Sequence, residues 1–233
     1  MIKFGNKDLT DIVPVKIEDV VVSPIRLNPV ARARITKYGE EFIRQHGGTR
    51  TATITFSLLE MNPDDREQGM LDLREWAFSD KEKTLVLPQF ADKHLECICT
   101  AFPDHSYRKW WENKLRLVFT CFDNPFWTSN ELIEVPCGQT FSIGGNVQPL
   151  MTIERNGGNK LSNVVYATDK QVMTFSTIPA GNLVIDLNRQ TAAIGKTSIM
   201  QYYLPSSKWI TPKIGAGQYI NGVGSVKYRE RWV

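Results

Sequence analysis

The residues of this chain that could do chemistry are few and widely spaced. The four cysteines are Cys97, Cys99, Cys121 and Cys137, and the three histidines are scattered. A zinc site is usually built from paired short spacings such as C-x₂-C, which C-x-C does not supply. Cys97, Cys99 and Leu95 fall on one face of an extended run, and the expected state is a set of reduced, buried thiols. There is no phosphate-cradling loop, no dinucleotide fingerprint, no H-E-x-x-H and no G-x-S-x-G. Gly144-Gly145 and Gly157-Gly158 lack the lysine a phosphate cradle needs. Asp64-Asp65 stands where helix capping explains it. Glu40-Glu41 lies in an expected exposed excursion. The aromatic and basic cluster Tyr107, Arg108, Lys109, Trp110 and Trp111 has the types used for base stacking. No basic stripe accompanies it, so packing of a turn is the reading adopted. The expectation is a non-enzyme with no catalytic residues, no metal and no cofactor.

The elements that must position these residues are organised around Lys114–Ser129. Leu115, Leu117, Phe119 and Cys121 alternate with Arg116, Val118, Thr120 and Phe122, the pattern of a strand with a buried face. Asp123-Asn124-Pro125 is turn chemistry, and Phe126 and Trp127 add a large apolar anchor just beyond it. This is how a domain ends. A change in composition supports a boundary there. Residues 1–129 carry 18 Lys and Arg against 19 Asp and Glu, with 5 glycines, whereas residues 130–233 carry 10 against 6, with 11 glycines.

Two domains are therefore expected in the 233 residues, 1–129 and 130–233. The net charge of +3 is too small to suggest nucleic-acid or membrane binding. No apolar run reaches the roughly 18–20 residues of a membrane span. The opening MIKFGNKDLT has no apolar signal region, so synthesis in the cytoplasm is expected.

In the first part, Thr49–Leu59 alternates Thr51, Thr53, Thr55 and Ser57 with Ala52, Ile54, Phe56 and Leu58, a clear strand. Residues 36–48 read as an exposed loop or projecting hairpin. A single helix is expected over about residues 63–79, with Asn62 as N-cap, Pro63 in its first turn and Asp64, Asp65 and Glu67 at its positive end. Met70, Leu71, Leu73 and Ala77, with Trp76 nearby, form the apolar stripe. Strands follow at Thr84–Leu87, Leu95–Ala101 and Lys114–Phe122. The second part has seven or more short alternating runs separated by turns such as Asn156-Gly157-Gly158-Asn159 and Asn221-Gly222, which predicts a β-sandwich. The fold class expected is mainly β with one α-helix.

The run Gly48–Leu59, the helix after Asn62, the strand Leu115–Phe122, the Asp123–Trp127 junction and the ending Val226–Val233 recur in this order in one family. The chain resembles the distal tail proteins of siphophages, most strongly over residues 48–129 and at the C-terminus. Asn124, standing between Asp123 and Pro125, departs from the family's usual turn. The resemblance implies a structural virion protein, assembled in the host cytoplasm and located in the virion tail. It further implies a hexameric ring built by an N-terminal β-sandwich-like domain, with a galectin-like β-sandwich as the C-terminal domain. Such a ring joins the tail tube protein to a tail-tip or tail-associated protein, or to a receptor-binding protein. It leaves a channel through which DNA passes.

Rings need one surface to meet a different surface on the next copy. Tyr38, Phe42, Ile43 and Arg44 of the excursion are the candidate ring contacts, because exposed apolar residues there gain from burial by a neighbour. Asp123, Pro125, Phe126 and Trp127 are the candidate domain junction, expected to act as a fixed joint because a flexible tether would be rich in Gly and Ser. The alternative is a carbohydrate-binding adhesion module that acts through Trp209, Tyr202 and Tyr203 of the second domain.

Overall fold

The computed structural model of the chain describes residues 1–33, 40–59, 62–103 and 114–233, with the backbone alone for 27–33, 40–47 and Pro63. The chain forms two compact units, Met1–Trp127 and Thr128–Val233. Each is built mainly of antiparallel strands, the mainly β class that the short alternating runs imply.

The first unit contains β1 (Lys3–Phe4), β2 (Lys7–Asp8), α1 (Leu9–Ile12), β3 (Val15–Val22), β4 (Leu27–Ala33), β5 (Glu40–Gly47), β6 (Arg50–Leu58), α2 (Pro63–Ala77), β7 (Lys83–Val86), β8 (Lys93–Ala101) and β9 (Lys114–Cys121). Its sheet runs β2-β1-β7-β8-β9-β6-β3. Strand β8 serves two neighbours, pairing β7 with its first half and β9 with its second. On β6, Ala52, Ile54 and Phe56 are completely buried and Leu58 nearly so. The pleat puts them on one face together with Leu117, Phe119 and Cys121 of β9.

Helix α2 closes this core. Asn62 Oδ1 accepts from the Asp65 amide at 2.9 Å, which supplies one of the bonds that a helix start otherwise lacks. Met70, Leu73, Trp76 and Ala77 are buried. The Trp76 ring lies 5.8 Å from Phe4 and 6.3 Å from Phe119, edge to face, and its Nε1 donates to the Lys7 carbonyl at 3.1 Å. Leu71 does not belong to the stripe, and its side chain is 53% exposed. At 100° per residue it turns off the Met70–Leu73–Ala77 face and shares the outer one with Phe78. A second helix, α1, escapes sequence reading because one turn is too short to show a period. Its cap is Asp8, whose Oδ1 accepts from the Thr10 amide and hydroxyl at 3.0 and 2.7 Å. Strand β9 ends at Cys121, and Phe122 turns outward.

Cys97, Cys99 and Cys121 are buried free thiols, and Cys137 is half-buried and free. A hydrogen bond shared with Cys121, and then burial, push the Cys97 thiol far up. Burial pushes Cys99 and Cys137 up to about 11. Each of these groups is neutral when protonated, and its folded value lies above the unfolded one. For Cys99 and Cys137 the contribution to stability is therefore complete below the unfolded value of 9.0 and is lost as pH rises to about 11. The urea midpoint should fall across that window and fall less steeply in Cys99→Ala. Equal slopes for the two proteins would show that this thiol does not carry the effect.

A short strand, β10 (Trp127–Ser129), lies at the division. The second unit then contains β11 (Ile133–Pro136), β12 (Thr140–Ile143), β13 (Val147–Arg155), β14 (Leu161–Ala167), β15 (Val172–Ile178), β16 (Leu183–Asp186), β17 (Thr191–Ile194), β18 (Thr197–Ser198), β19 (Gly215–Tyr219) and β20 (Ser225–Trp232). One sheet runs β18-β17-β16-β13-β20-β11. The pairs β12–β19 and β14–β15 are bridged through Ala167 and Asn221. One core serves them all, centred on Ile153, Tyr166, Phe175, Ile185 and Val226. Strand β20 pairs with both β11 and β13. Lys227 on it bridges Glu154 at 2.9 Å and Glu134 at 3.6 Å, tying three strands together.

Candidate functional site

The junction residues sit in a setting that only long-range contacts create. Beyond β9, the amides of Phe122 and Asp123 both donate to Glu82 Oε1, at 2.8 and 3.3 Å. A carboxylate some forty residues away thus holds the turn's donors. Asn124 is buried and its Nδ2 donates to Glu96 Oε2 at 3.5 Å. Pro125 and Trp127 are buried, Phe126 is half-buried and Asp123 is exposed. The Trp127 ring lies 4.5 Å from that of Phe90, tilted at 46°.

Arg50 is the residue that sequence reading missed here. It opens β6 opposite Cys121 on β9 and is only 5% exposed. Its guanidinium carbon stands 6.0 Å from the Trp127 ring centroid. Its Nε and Nη1 have no hydrogen-bond partner. Burial pushes its pKa below the ordinary arginine value. An aromatic face is a partial substitute for hydration when no carboxylate is at hand. No local pattern marks this arginine, because its partner lies 77 residues further along the chain. On the far side of the division, Arg229 Nη1 donates to the Ser129 carbonyl at 2.8 Å and also to that of Asn130, fixing the entry to the second unit.

Of the candidate ring residues, Tyr38 lies outside the described residues, as does the cluster Tyr107–Trp111. Phe42, Ile43 and Arg44 lie on β5, which pairs with β4 as a separate two-stranded antiparallel ribbon. Ala31 stands opposite Phe42 and Val30 opposite Arg44, with a register shift between them. Residues 36–48 are thus no plain loop, since from Glu40 to Gly47 they form a strand.

The aromatics of the alternative reading are packing groups. Trp209 Nε1 donates to the Leu187 carbonyl at 3.2 Å, and Tyr203 Oη donates to that of Ser207 at 2.9 Å. Tyr203 lies between Phe175 and Trp209, at 5.8 and 5.4 Å. Tyr202 also packs against the core of the unit. All three residues are half-buried.

Among the described residues there is no cluster of three His, Cys, Asp or Glu placed to hold a metal ion. No described helix is long and apolar enough to cross a membrane.

No family model matches the sequence, and no curated protein matches it. Solved structures do. Phage proteins supply the fold: the chain is similar to SPP1 Dit (gp 19.1), described as a paradigm of the hub adsorption apparatus in phages infecting Gram-positive bacteria. The TM-score is 0.75 at 13% identity, covering 100% of this chain and 98% of that one. It is also similar to a chain of the phage P2 baseplate in its activated conformation with Ca. There the TM-score is 0.52 at 11% identity, covering 97% of this chain and 93% of that one. The chain has the fold of a phage Dit hub protein, in agreement with the resemblance carried by the order of its motifs.

Proposed function

We propose that this protein is a structural hub of a phage tail. It acts in the virion tail, after assembly in the host cytoplasm, and has no catalytic role. Six copies form a ring through the Met1–Trp127 unit. The ring joins the tail tube protein to a tail-tip or tail-associated protein, or to a receptor-binding protein, and leaves an opening for DNA. The observation that carries this reading is the likeness to the SPP1 hub, which extends over both units and almost all of that chain. The β4–β5 ribbon, with Tyr38 between its strands in sequence and Phe42, Ile43 and Arg44 on β5, is the surface assigned to the neighbouring copy. Asp123, Pro125, Phe126 and Trp127 are assigned to the junction.

A channel that passes DNA works best without a grip on phosphate, since every phosphate contact adds affinity that must be undone. The first part of the chain, with acidic residues slightly outnumbering basic ones, suits that demand.

Negative-stain electron microscopy of the purified protein tests the proposal, with six-fold rings enclosing a hole as the expected result. Light scattering of a variant lacking residues 38–46 should report a folded monomer. An intact ring in that variant would remove the ribbon from the interface, and a wild-type protein that stays monomeric at high concentration would remove the ring.

A further inference from the structure

Strand β19 leaves one of its edges without a partner. It pairs only with β12, as a two-stranded sheet. Among the described residues no other backbone hydrogen bond joins Gly215–Tyr219 to the rest of the chain. The reason lies at the end of β14. Ala167 and Asn221 exchange both backbone hydrogen bonds, at 3.0 and 2.8 Å, in antiparallel sense. A β14 that ran on from there would cover the edge of β19. Instead the chain turns at 168–171, where the Thr168 amide donates to the Gln171 carbonyl at 2.9 Å and Thr168 Oγ1 accepts from the Gln171 amide at 3.1 Å. The sheet opens there, and the opening is a cavity of about 280 Å³.

The cavity runs along the edge of β19 and not over one of its faces. Ala216, Gly217, Gln218, Tyr219 and Ile220 all border it, whereas a strand presents only alternate residues to either face. Ala216 and Gly217 are exposed, and a Cβ on Gly215 or Gly217 would meet nothing within 4 Å, so another main chain can approach closely. The facing wall is the 168–171 turn with the 210–213 segment. Its two parts are already joined, because Gln171 Oε1 accepts from the Thr211 amide at 3.0 Å. The site therefore needs little ordering when something enters it, and that lowers the cost of binding.

An edge of unpaired N–H and C=O groups is completed by another extended chain. At about 3.4 Å per residue, the 5 residues of β19 offer about 17 Å of such an edge. The facing wall decides which kind of chain fits. It leaves room for one extended segment but not for the edge of a folded sheet, which brings neighbouring strands with it. Asp169, Lys170 and Lys213 also border the cavity, and residues 130–233 carry 10 Lys and Arg against 6 Asp and Glu. That balance favours an acidic segment.

We propose that β19 takes up an extended acidic arm of another protein as an added strand, lying between β19 and the 168–171 turn. The inference does not depend on ring formation.

The probe is the peptide acetyl-Thr-Glu-Val-Glu-Val-Glu-Thr-amide, whose β-branched residues favour the extended form. It is titrated into the whole chain while the amide spectrum and amide hydrogen exchange are followed. Saturable shifts should be confined to residues 168–171 and 210–220, with a Kd on the order of 0.1 mM. The Gly215–Tyr219 amides that β12 leaves free should exchange at least tenfold more slowly. A peptide with every internal amide N-methylated, and one with Lys in place of each Glu, should each bind at least tenfold more weakly. Lys213→Glu alters an exposed side chain, so it should keep the wild-type melting temperature and weaken binding of the acidic peptide at least threefold. The proposal is overturned by the absence of saturable shifts, by shifts centred elsewhere, or by equal binding of the N-methylated or the basic peptide. Protection of the same amides that grows with protein concentration in the absence of peptide would also overturn it, by giving the edge to a second copy of the chain.

Discussion

Trp127→Ala should destabilise the Met1–Trp127 unit by about 3–5 kcal/mol, the usual cost of truncating a large buried aromatic. The ring is 6% exposed and tilted on Phe90 at a centroid distance of 4.5 Å. Its removal leaves a void at the end of the core. It also takes from Arg50 the aromatic face 6.0 Å away, exposing the cost of a buried guanidinium with two unpartnered nitrogens. The two penalties share one site, so Arg50→Met combined with Trp127→Ala should lose less than the single tryptophan change. Urea denaturation followed by near-ultraviolet circular dichroism gives both numbers. A loss below about 1 kcal/mol for Trp127→Ala would show that this ring does not plug the core.

Gly222→Ala should act with similar force on the second unit. Gly222 has φ +152, and a Cβ built on it would stand 2.2 Å from Cδ1 of the Tyr166 ring. That ring is completely buried and has no room to retreat. Its hydroxyl is fixed as well, donating to the Val223 carbonyl at 3.0 Å within the same turn. Two residues on, Gly224 has φ +108, and a Cβ there would meet the Glu154 carbonyl at 2.2 Å. Side chains at such φ values are strained in themselves, and overpacking adds a further penalty of about 1–3 kcal/mol. The turn at 221–224 is therefore wrapped against Tyr166 and β13 as one unit. Melting temperature should drop by several degrees or more, while Asn221→Ala, which changes no close backbone approach, should do less. A Gly222→Ala protein as stable as wild type would mean that the turn can shift away from the ring.

These two sites also show how far the sequence can be read. Phe126-Trp127 announces an apolar anchor after a turn, and Asn221-Gly222 announces a turn between two alternating runs. Both follow from local chemistry. The acceptor for the turn at Phe122 and Asp123 is another matter, because it is Glu82, on the segment that leads into β7. Arg50 likewise reads as an ordinary strand-opening cation until β6 and β9 pair and bring it to Trp127. Leu71 shows the opposite failure. It is apolar and adjacent to true core positions, yet the helix phase carries it outward.

The aromatics of the second unit repeat the point. Trp209, Tyr202 and Tyr203 invite a sugar-binding reading because the sequence gives their type without their surroundings. The fold turns Trp209 toward the Leu187 carbonyl and Tyr203 toward Phe175. The cavity beside β19 has no counterpart in any local pattern, since its lining comes from β12, the β14–β15 turn, the 210–213 segment and β19.

What the sequence determined by itself is the set of strands with a buried face, the capped start of α2 and the turn glycines. Each rests on the steric and hydrogen-bonding preferences of residues that are neighbours in the chain. What only the tertiary structure decided is which strand meets which, and hence the Glu82-held junction, the Arg50–Trp127 contact and the cavity. Those depend on register between segments tens of residues apart, and a shift of one residue would send every such side chain to the opposite face.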